Sequence, residues 1–377
     1  MKLAFCLYKF FPFGGLQRDF LSISRICHDR GHSIDVYTMS WEGPQPEDYN
    51  INIIPIKHWT NHGRSKYFLK ALSIIFTSKH YDAVIGFDKM PFLDLYYAAD
   101  SCYVAKARPA LFKLSGRYCH FAKFEQAVFG KESSTQLMMI SDIEKQKFIE
   151  HYNTQPERFH SLPPGISPDR KAPDNAGEIR QQWRKEFNIA EDDKVILMIG
   201  SAFKGKGLDR TLKGIAALPK TLLEKTQLMV LGKDNPQPFY KLASKLGVRD
   251  RLTIFLGSDD VPRFLLGADL FAHPAYSDNT GTVILEAMVA GLPIIVSEVC
   301  GYAFHVKQAQ AGCITSLPFQ QKEFNQQLEF MLSSDKYETW VKNCIEYSLA
   351  EDLYSMPEVA ADLIESVAEK LIAQKNH

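Results

Sequence analysis

Short apolar runs of strand character alternate with helix-like segments along almost the whole chain, and this alternation constrains the fold more than any other feature. "LAFCLY" (3–8), "SIDVYTM" (33–39), "DAVIGF" (82–87), "DLYYAA" (94–99) and "QLMMIS" (136–141) form a first series. Between the first two, Leu16, Phe20, Ile23 and Cys27 recur at helical spacing, and the pattern stops at Gly31. A second series holds "KVILMIGS" (194–201), "QLMVLG" (227–232), "LTIFLG" (252–257), "DLFAHP" (269–274) and "LPIIVS" (292–297). Strands separated by helices predict parallel sheets covered on both faces, an α/β class.

At 377 residues the chain is too long for one ordinary core and suits two domains. The pattern lapses in "SPDRKAPDNAGEIRQQ" (167–182), whose Pro, Asp and Asn content reads as an interdomain linker. The expected division is 1–166, then 167–350, with 351–377 a helix packing back on the first domain. Lys plus Arg and Asp plus Glu number 44 each, so attraction to nucleic acid or membrane must come from local clusters. The start, "MKLAFCLYKFFPFGG", reads as a first strand rather than a signal peptide, and no apolar run approaches the ~20 residues of a membrane span. Seven scattered cysteines without a CxxC pair fit a reducing, cytoplasmic setting and argue against a zinc ribbon.

Ligands of doubly wound sheets bind beyond the carboxyl ends of strands, so the strand-to-helix loops are the places to search. The first is "FPFGGLQRD" (11–19), where Gly14 and Gly15 serve either a tight turn or a close backbone approach to a phosphate or sugar. It lacks GxGxxG spacing, which disfavours a nicotinamide site. The second, "GSAFKGKGLDR" (200–210), places Lys206 before a helix start, where a diphosphate or merely solvent would meet it. It is not a P-loop. The third, "HPAYSDNTGTVILEAMVAGLP" (273–293), has Asp278 ahead of a helix beginning near Gly281–Thr282, with Glu286 among Val283, Ile284, Leu285 and Ala287. A carboxylate in such company needs a partner, and the vicinal hydroxyls of a ribose would supply two donors. The plainer reading is a capping Asp and an exposed Glu. "GSDDVPRFL" (257–265) has paired aspartates, but no His/Cys cluster accompanies them and no metal is expected.

The stretch 101–124, "SCYVAKARPALFKLSGRYCHFAKF", has Lys106, Arg108, Lys113, Arg117 and Lys123 interleaved with Tyr103, Phe112, Tyr118, Phe121 and Phe124, and no acid. Cations with aromatics suit an anionic membrane surface, a nucleic acid, a basic acceptor-binding face, or a solvated helix.

These loops together, with "AFCLYKFFPFGGLQRDF", "YTMSWEG", "TNHGR", "LPPGISPDRK", "HPAY", "AGLPI" and "VCGYA", resemble family 4 glycosyltransferases, and within them the glucosyltransferases of the lipopolysaccharide core. The resemblance spans nearly the whole chain. It implies a GT-B fold, two Rossmann-like doubly wound domains facing across a cleft, the first binding acceptor and the second a UDP-sugar. It implies a retaining transfer of a hexose from UDP-glucose or a related UDP-hexose to an inner-core heptose, without metal or other cofactor, at the cytoplasmic face of the inner membrane. By position, Gly14, Gly15, Lys206, Thr280, Gly281, Thr282 and Glu286 would bind the donor. Asp278 would serve the donor sugar, and Asp19 and Asp100 would lie where sugar and acceptor meet. The basic stretch would be the membrane-binding one, with nucleic acid set aside. Two positions depart from the family: the first acid is Asp278 rather than Glu, and Gly205 replaces an Arg for which Lys204 would stand in. Rival readings are a nucleotide-sugar epimerase of the same fold and a non-catalytic glycolipid-binding protein.

Overall fold

Near-continuous apolar strands dictate sheets buried on both faces, and the computed structural model shows two of them. It describes every residue except Phe13, Ala107, Arg108, Ser258, Asp259, Asn376 and His377. The chain forms two compact units, Met1–Gly165 with Ser355–His377, and Ile166–Tyr354.

The first unit has seven parallel strands: β1 (Lys2–Cys6), β2 (Ser33–Thr38), β3 (Asn50–Ile53), β4 (Ala83–Gly86), β5 (Leu95–Ala98), β6 (Gln136–Met139) and β7 (Phe159–Ser161). Their order is β3-β2-β1-β4-β5-β6-β7. Leu3 and Phe5 pack on one face, with Phe20, Ile23 and Cys27 of the Gly15–Asp29 helix, while Ala4 and Cys6 pack on the other. Each large side chain so buried stabilises the fold by roughly 1.5–3 kcal/mol. The Met356–Lys375 helix joins the same core through Met356, Ala360, Ile364 and Ala368.

The second unit has six: β8 (Lys194–Ile199), β9 (Thr226–Leu231), β10 (Leu252–Phe255), β11 (Leu270–His273), β12 (Ile294–Ser297) and β13 (Gly312–Thr315), in the order β10-β9-β8-β11-β12-β13. Here Val195 and Leu197 face one core cluster, Ile196 and Met198 the other. Both sheets reverse strand order beside their first strand, at β1/β4 and at β8/β11. Such switch points leave a crevice at the strands' carboxyl ends.

The expected linker at 167–182 is instead built into the second unit. It holds a 3-10 turn at Pro168–Arg170 and the start of the Ala176–Glu186 helix, whose Trp183 is wholly buried. Arg180 and Arg184 of that helix both grip Asp269 at the start of β11, at 2.6 and 3.0 Å.

Candidate functional site

In the second unit the switch-point loops follow β8 and β11. The first loop is tight because Gly207 sits at φ +83° with Pro274 O so near that a Cβ would come within 2.1 Å of it. A larger residue there would push the two loops apart. Lys206 just before it reaches across, its Nζ 2.6 Å from Oδ2 of Asp278. His273, fully buried at the end of β11, places Nε2 2.7 Å from the same oxygen. Burial by itself would raise the Asp278 carboxyl. The bond and charge of His273, joined by Lys206, overcome it and hold the group well below the usual carboxylate range. Asp278 is therefore a fixed anion.

The Thr282–Val289 helix starts at this loop, its N-cap Gly281 at φ +77°. Thr280 Oγ1 lies 3.4 Å from Thr282 Oγ1, and Thr280 O accepts the Tyr302 N–H. Glu286 is buried on this helix and meets the Arg170 guanidinium, Nε to Oε2 3.6 Å. Arg170 comes from the segment that reads as a linker, so no loop motif points to it.

Lys204, the expected stand-in for the Arg, is engaged within its own unit. Its Nζ lies 2.6 Å from Asp209 Oδ2 and 3.0 Å from the Tyr276 hydroxyl, an engagement that raises its basicity. Arg210 braces the opposite loop, donating to Pro274 O and Ala275 O while stacking 3.6 Å over the Tyr276 ring. Asp260 likewise pairs with Arg263 at 2.9 Å rather than capping the Val261–Gly267 helix; Asp259 lies outside the described residues.

His273, Asp278 and Cys300 offer ligand atoms within 4.8 Å of one another. The Asp278 oxygen already carries an ammonium and an imidazole, and burial pushes the Cys300 thiol up to about 12. An ammonium and an imidazole hold this carboxylate, and the thiol stays protonated.

In the first unit, loops after β1, β2, β4 and β5 surround a concavity of about 460 Å³ with Tyr8, Lys9, Met39, Asp88, Lys89 and Asp100 on its wall. Asp88 carries no motif in the sequence beyond an Asp-Lys pair past a strand's carboxyl end. It accepts the Tyr8 N–H at 2.5 Å, and burial, reinforced by the nearby Asp100, raises its carboxyl to about 7. Asp19, by contrast, lies in the second turn of the Gly15–Asp29 helix, where Tyr97 OH donates to its Oδ2 at 2.8 Å and Arg18 pairs at 3.4 Å. Asp100 is on the wall of the concavity, and Asp19 is not among its described wall residues.

The two glycines also separate. A Cβ on Gly14 would strike the Gln17 side chain, whose amide donates to Lys9 O at 2.9 Å, so a larger residue there would have to displace Gln17. Gly15 faces open space.

The basic stretch divides in the same way. All four of Lys106, Lys113, Arg117 and Lys123 are exposed; Lys106 and Arg117 lie on the pocket wall, while Lys113 and Lys123, on the Ala110–Lys113 and Gly116–Phe129 helices, are not among its described wall residues. Arg108 lies outside the described residues. Next to Lys113 the structure exposes Leu111 and Leu114, at 83% and 79%. Among the described residues no helix is long and apolar enough to cross a membrane.

Residues 179–347 match the family of glycosyl transferases group 1. Over 97% of its length the chain is 44% identical to the lipopolysaccharide glucosyltransferase WaaG of Escherichia coli K12, covering 98% of that protein. The crystal structure of WaaG, a glycosyltransferase involved in lipopolysaccharide biosynthesis, superposes with a TM-score of 0.92, covering 96% of this chain and 99% of that one. At 16% identity, Anabaena HepE in complex with UDP and glucose shares the fold at a TM-score of 0.74, covering 97% of this chain and all of its own. Two Rossmann-like units with switch-point loops, and identity to a glycosyltransferase sustained from end to end, place the chain in the group 1 glycosyltransferases of GT-B fold.

Proposed function

We propose that the protein is a retaining glycosyltransferase moving glucose from UDP-glucose to a heptose of the lipopolysaccharide inner core. The observation that carries this reading is the loop cluster of Lys206, Asp278 and Glu286 at the β8/β11 switch point, in a chain so close to WaaG throughout. On donor binding, Lys206 exchanges the Asp278 carboxylate for the diphosphate, and the N–H groups at Thr280, Gly281 and Thr282 face the same charge. Asp278, still held by His273, accepts hydroxyls of the sugar, and Glu286 those of the ribose. Gly15 gives backbone access to a substrate in the first unit, and Asp19 and Asp100 attend the sugar and acceptor.

The bond from C1 to the phosphate oxygen breaks and UDP departs with its electron pair. The acceptor oxygen bonds to C1 on the same face, and its proton passes to the departing phosphate. Lys206 and the helix end stabilise the charge that develops on UDP, a role that needs no metal. We propose further that the exposed leucines and lysines of 110–123 hold the enzyme peripherally on the inner membrane.

Purified protein incubated with UDP-glucose, UDP-galactose or UDP-N-acetylgalactosamine and truncated core acceptor, without divalent metal, tests this. UDP release and glycosylated product are expected with UDP-glucose, and Lys206→Ala is expected to lower kcat/KM roughly 100–1,000-fold, the cost of removing one donor to a developing oxyanion. A free isomerised nucleotide sugar would establish the epimerase instead. No UDP release with any donor would leave a binding protein.

A further inference from the structure

The pocket at the carboxyl ends of β1, β2, β4 and β5 has a charge arrangement that the transfer reaction alone does not require. Five cations, Lys9, Arg64, Lys89, Lys106 and Arg117, line about 460 Å³, against two acids, Asp88 and Asp100. That volume is typical of small-molecule sites, roughly 300–1,000 Å³. One of the cations is spoken for: Lys89 Nζ lies 2.5 Å from the buried Glu125 carboxylate. Arg64 uses Nε on His58 O. The Lys9, Lys106 and Arg117 side chains meet no acceptor among the described residues, and all three residues are exposed.

The carboxyl of Asp88 is governed by burial, the Tyr8 N–H and Asp100, and by no cation of the wall. Tyr96 is fully buried, its hydroxyl without a partner among the described residues and within the field of both carboxylates. The two carboxylates suit neutral hydroxyls, which donate to them. The exposed cations Lys9, Lys106 and Arg117 suit an anion.

Helix placement sharpens the point. Wall residues Leu16 and Gln17, Asn61 and Arg64, and Arg117 come from the first turns of three helices, Gly15–Asp29, Asn61–Ser78 and Gly116–Phe129. None of these helices carries an acid in its first turn. Helix starts bear partial positive charge, so Arg64 and Arg117 stand where a cation is disfavoured unless an anion joins it.

We propose that this pocket is a subsite for an acidic sugar, its hydroxyls on Asp88 and Asp100 and its phosphate or carboxylate among Lys9, Arg64, Lys106 and Arg117. This deepens the proposed function, placing an acidic sugar residue of the acceptor glycan next to the acceptor hydroxyl, and it rests on that reading for its biological meaning. Guanidinium forks match both anions, so the shared chemistry is a multi-oxygen anion carried on a polyol.

The test uses the full chain and three probes that differ in one group: glucose, glucuronic acid and glucose 6-phosphate, with binding followed by calorimetry or ligand-observed NMR. At least one acidic probe is expected to bind tenfold or more tightly than glucose, with an advantage that shrinks in high salt. Preference for the phosphate, the carboxylate or both identifies which anion the subsite takes. The double variant Lys9→Gln, Arg117→Gln removes two exposed, unpaired cations and is expected to keep the wild-type thermal midpoint while losing most of that advantage. Equal binding of all three probes to the wild type overturns the subsite. So does a double variant that keeps the acidic preference, or one that loses only its binding to phosphatidylglycerol vesicles, which would assign the cations to lipid. The probes need no UDP-sugar, so failure of transfer with intact acidic-sugar binding would refute the proposed function and leave the subsite standing.

Discussion

Asp88 and Asp278 are acids at equivalent places, each at a switch point of its own sheet, and their surroundings push them in opposite directions. Asp278 has a buried imidazole and an ammonium on one oxygen. Asp88 has one backbone N–H and a neighbouring acid, and burial prevails, raising it to about 7. A carboxyl whose proton is held more tightly in the folded than in the unfolded state favours folding at low pH. Its contribution is fully present below the unfolded value near 4 and is lost as pH rises through about 7. Denaturant unfolding at pH 5 and pH 8 should therefore show a smaller loss of stability in Asp88→Asn than in the wild type. Equal losses in both would mean that Asp88 titrates as an exposed carboxyl does. Sequence pattern brought out Asp278 and Glu286, because a small-residue loop before a helix marks a strand end. It missed their partners His273 and Arg170, since one looks like a core residue and the other lies more than a hundred positions away.

At the scale of elements, the loop after β5 is fixed by one fully buried carboxylate. Glu125, on the Gly116–Phe129 helix, receives the Tyr103 N–H at 2.7 Å, the Val104 N–H at 3.2 Å and the Tyr152 hydroxyl at 2.8 Å, besides the Lys89 ammonium. Asp100 and Ser101 of the pocket wall lie on that loop. Glu125→Ala would leave Lys89 buried without its counter-charge and should cost roughly 3–5 kcal/mol in chemical denaturation. A loss under about 1 kcal/mol would show that other contacts hold the loop. The neighbouring Ala110–Lys113 helix offers a different prediction, because Leu111 and Leu114 project into solvent beside Lys113. Leu111→Ser with Leu114→Ser should weaken sedimentation with anionic vesicles while leaving the thermal midpoint unchanged; retained vesicle binding would locate the membrane contact elsewhere. Neither leucine stood out in the sequence, where a single Leu is ordinary and only the fold reveals which face it takes. The same limit explains the three strands the pattern passed over. "NINI" alternates polar and apolar residues, "FHS" is three residues long, and "GCIT" opens on glycine.

For the molecule as a whole, strand and helix alternation was enough to predict two doubly wound sheets, because burial on both faces forces apolar runs that stand out against any loop. Where one unit ends was harder to read. Composition marked 167–182 as a tether, yet Trp183 and the Arg184–Asp269 pair make its end part of the second core. Contacts distant in sequence decide such boundaries. The Met356–Lys375 helix supplies six buried side chains to the first unit: Met356, Ala360, Ala361, Ile364, Val367 and Ala368. A chain truncated before Ser355 should lose the first unit's cooperative unfolding transition and bind a hydrophobic dye, while protease digestion still yields a resistant fragment starting near Ile166. Two unchanged transitions would show that the helix is dispensable.

That helix also sets a schedule for the newborn chain. On the ribosome the first sheet emerges early, but the side chains that close its core are translated only after the whole of the second unit, a wait of roughly 10–40 s at bacterial-type elongation rates of ~5–20 residues per second. Through that interval Phe20, Ile23 and their neighbours lack the cover that the finished fold gives them. The unit made first is the one completed last, and the cell must shield it meanwhile.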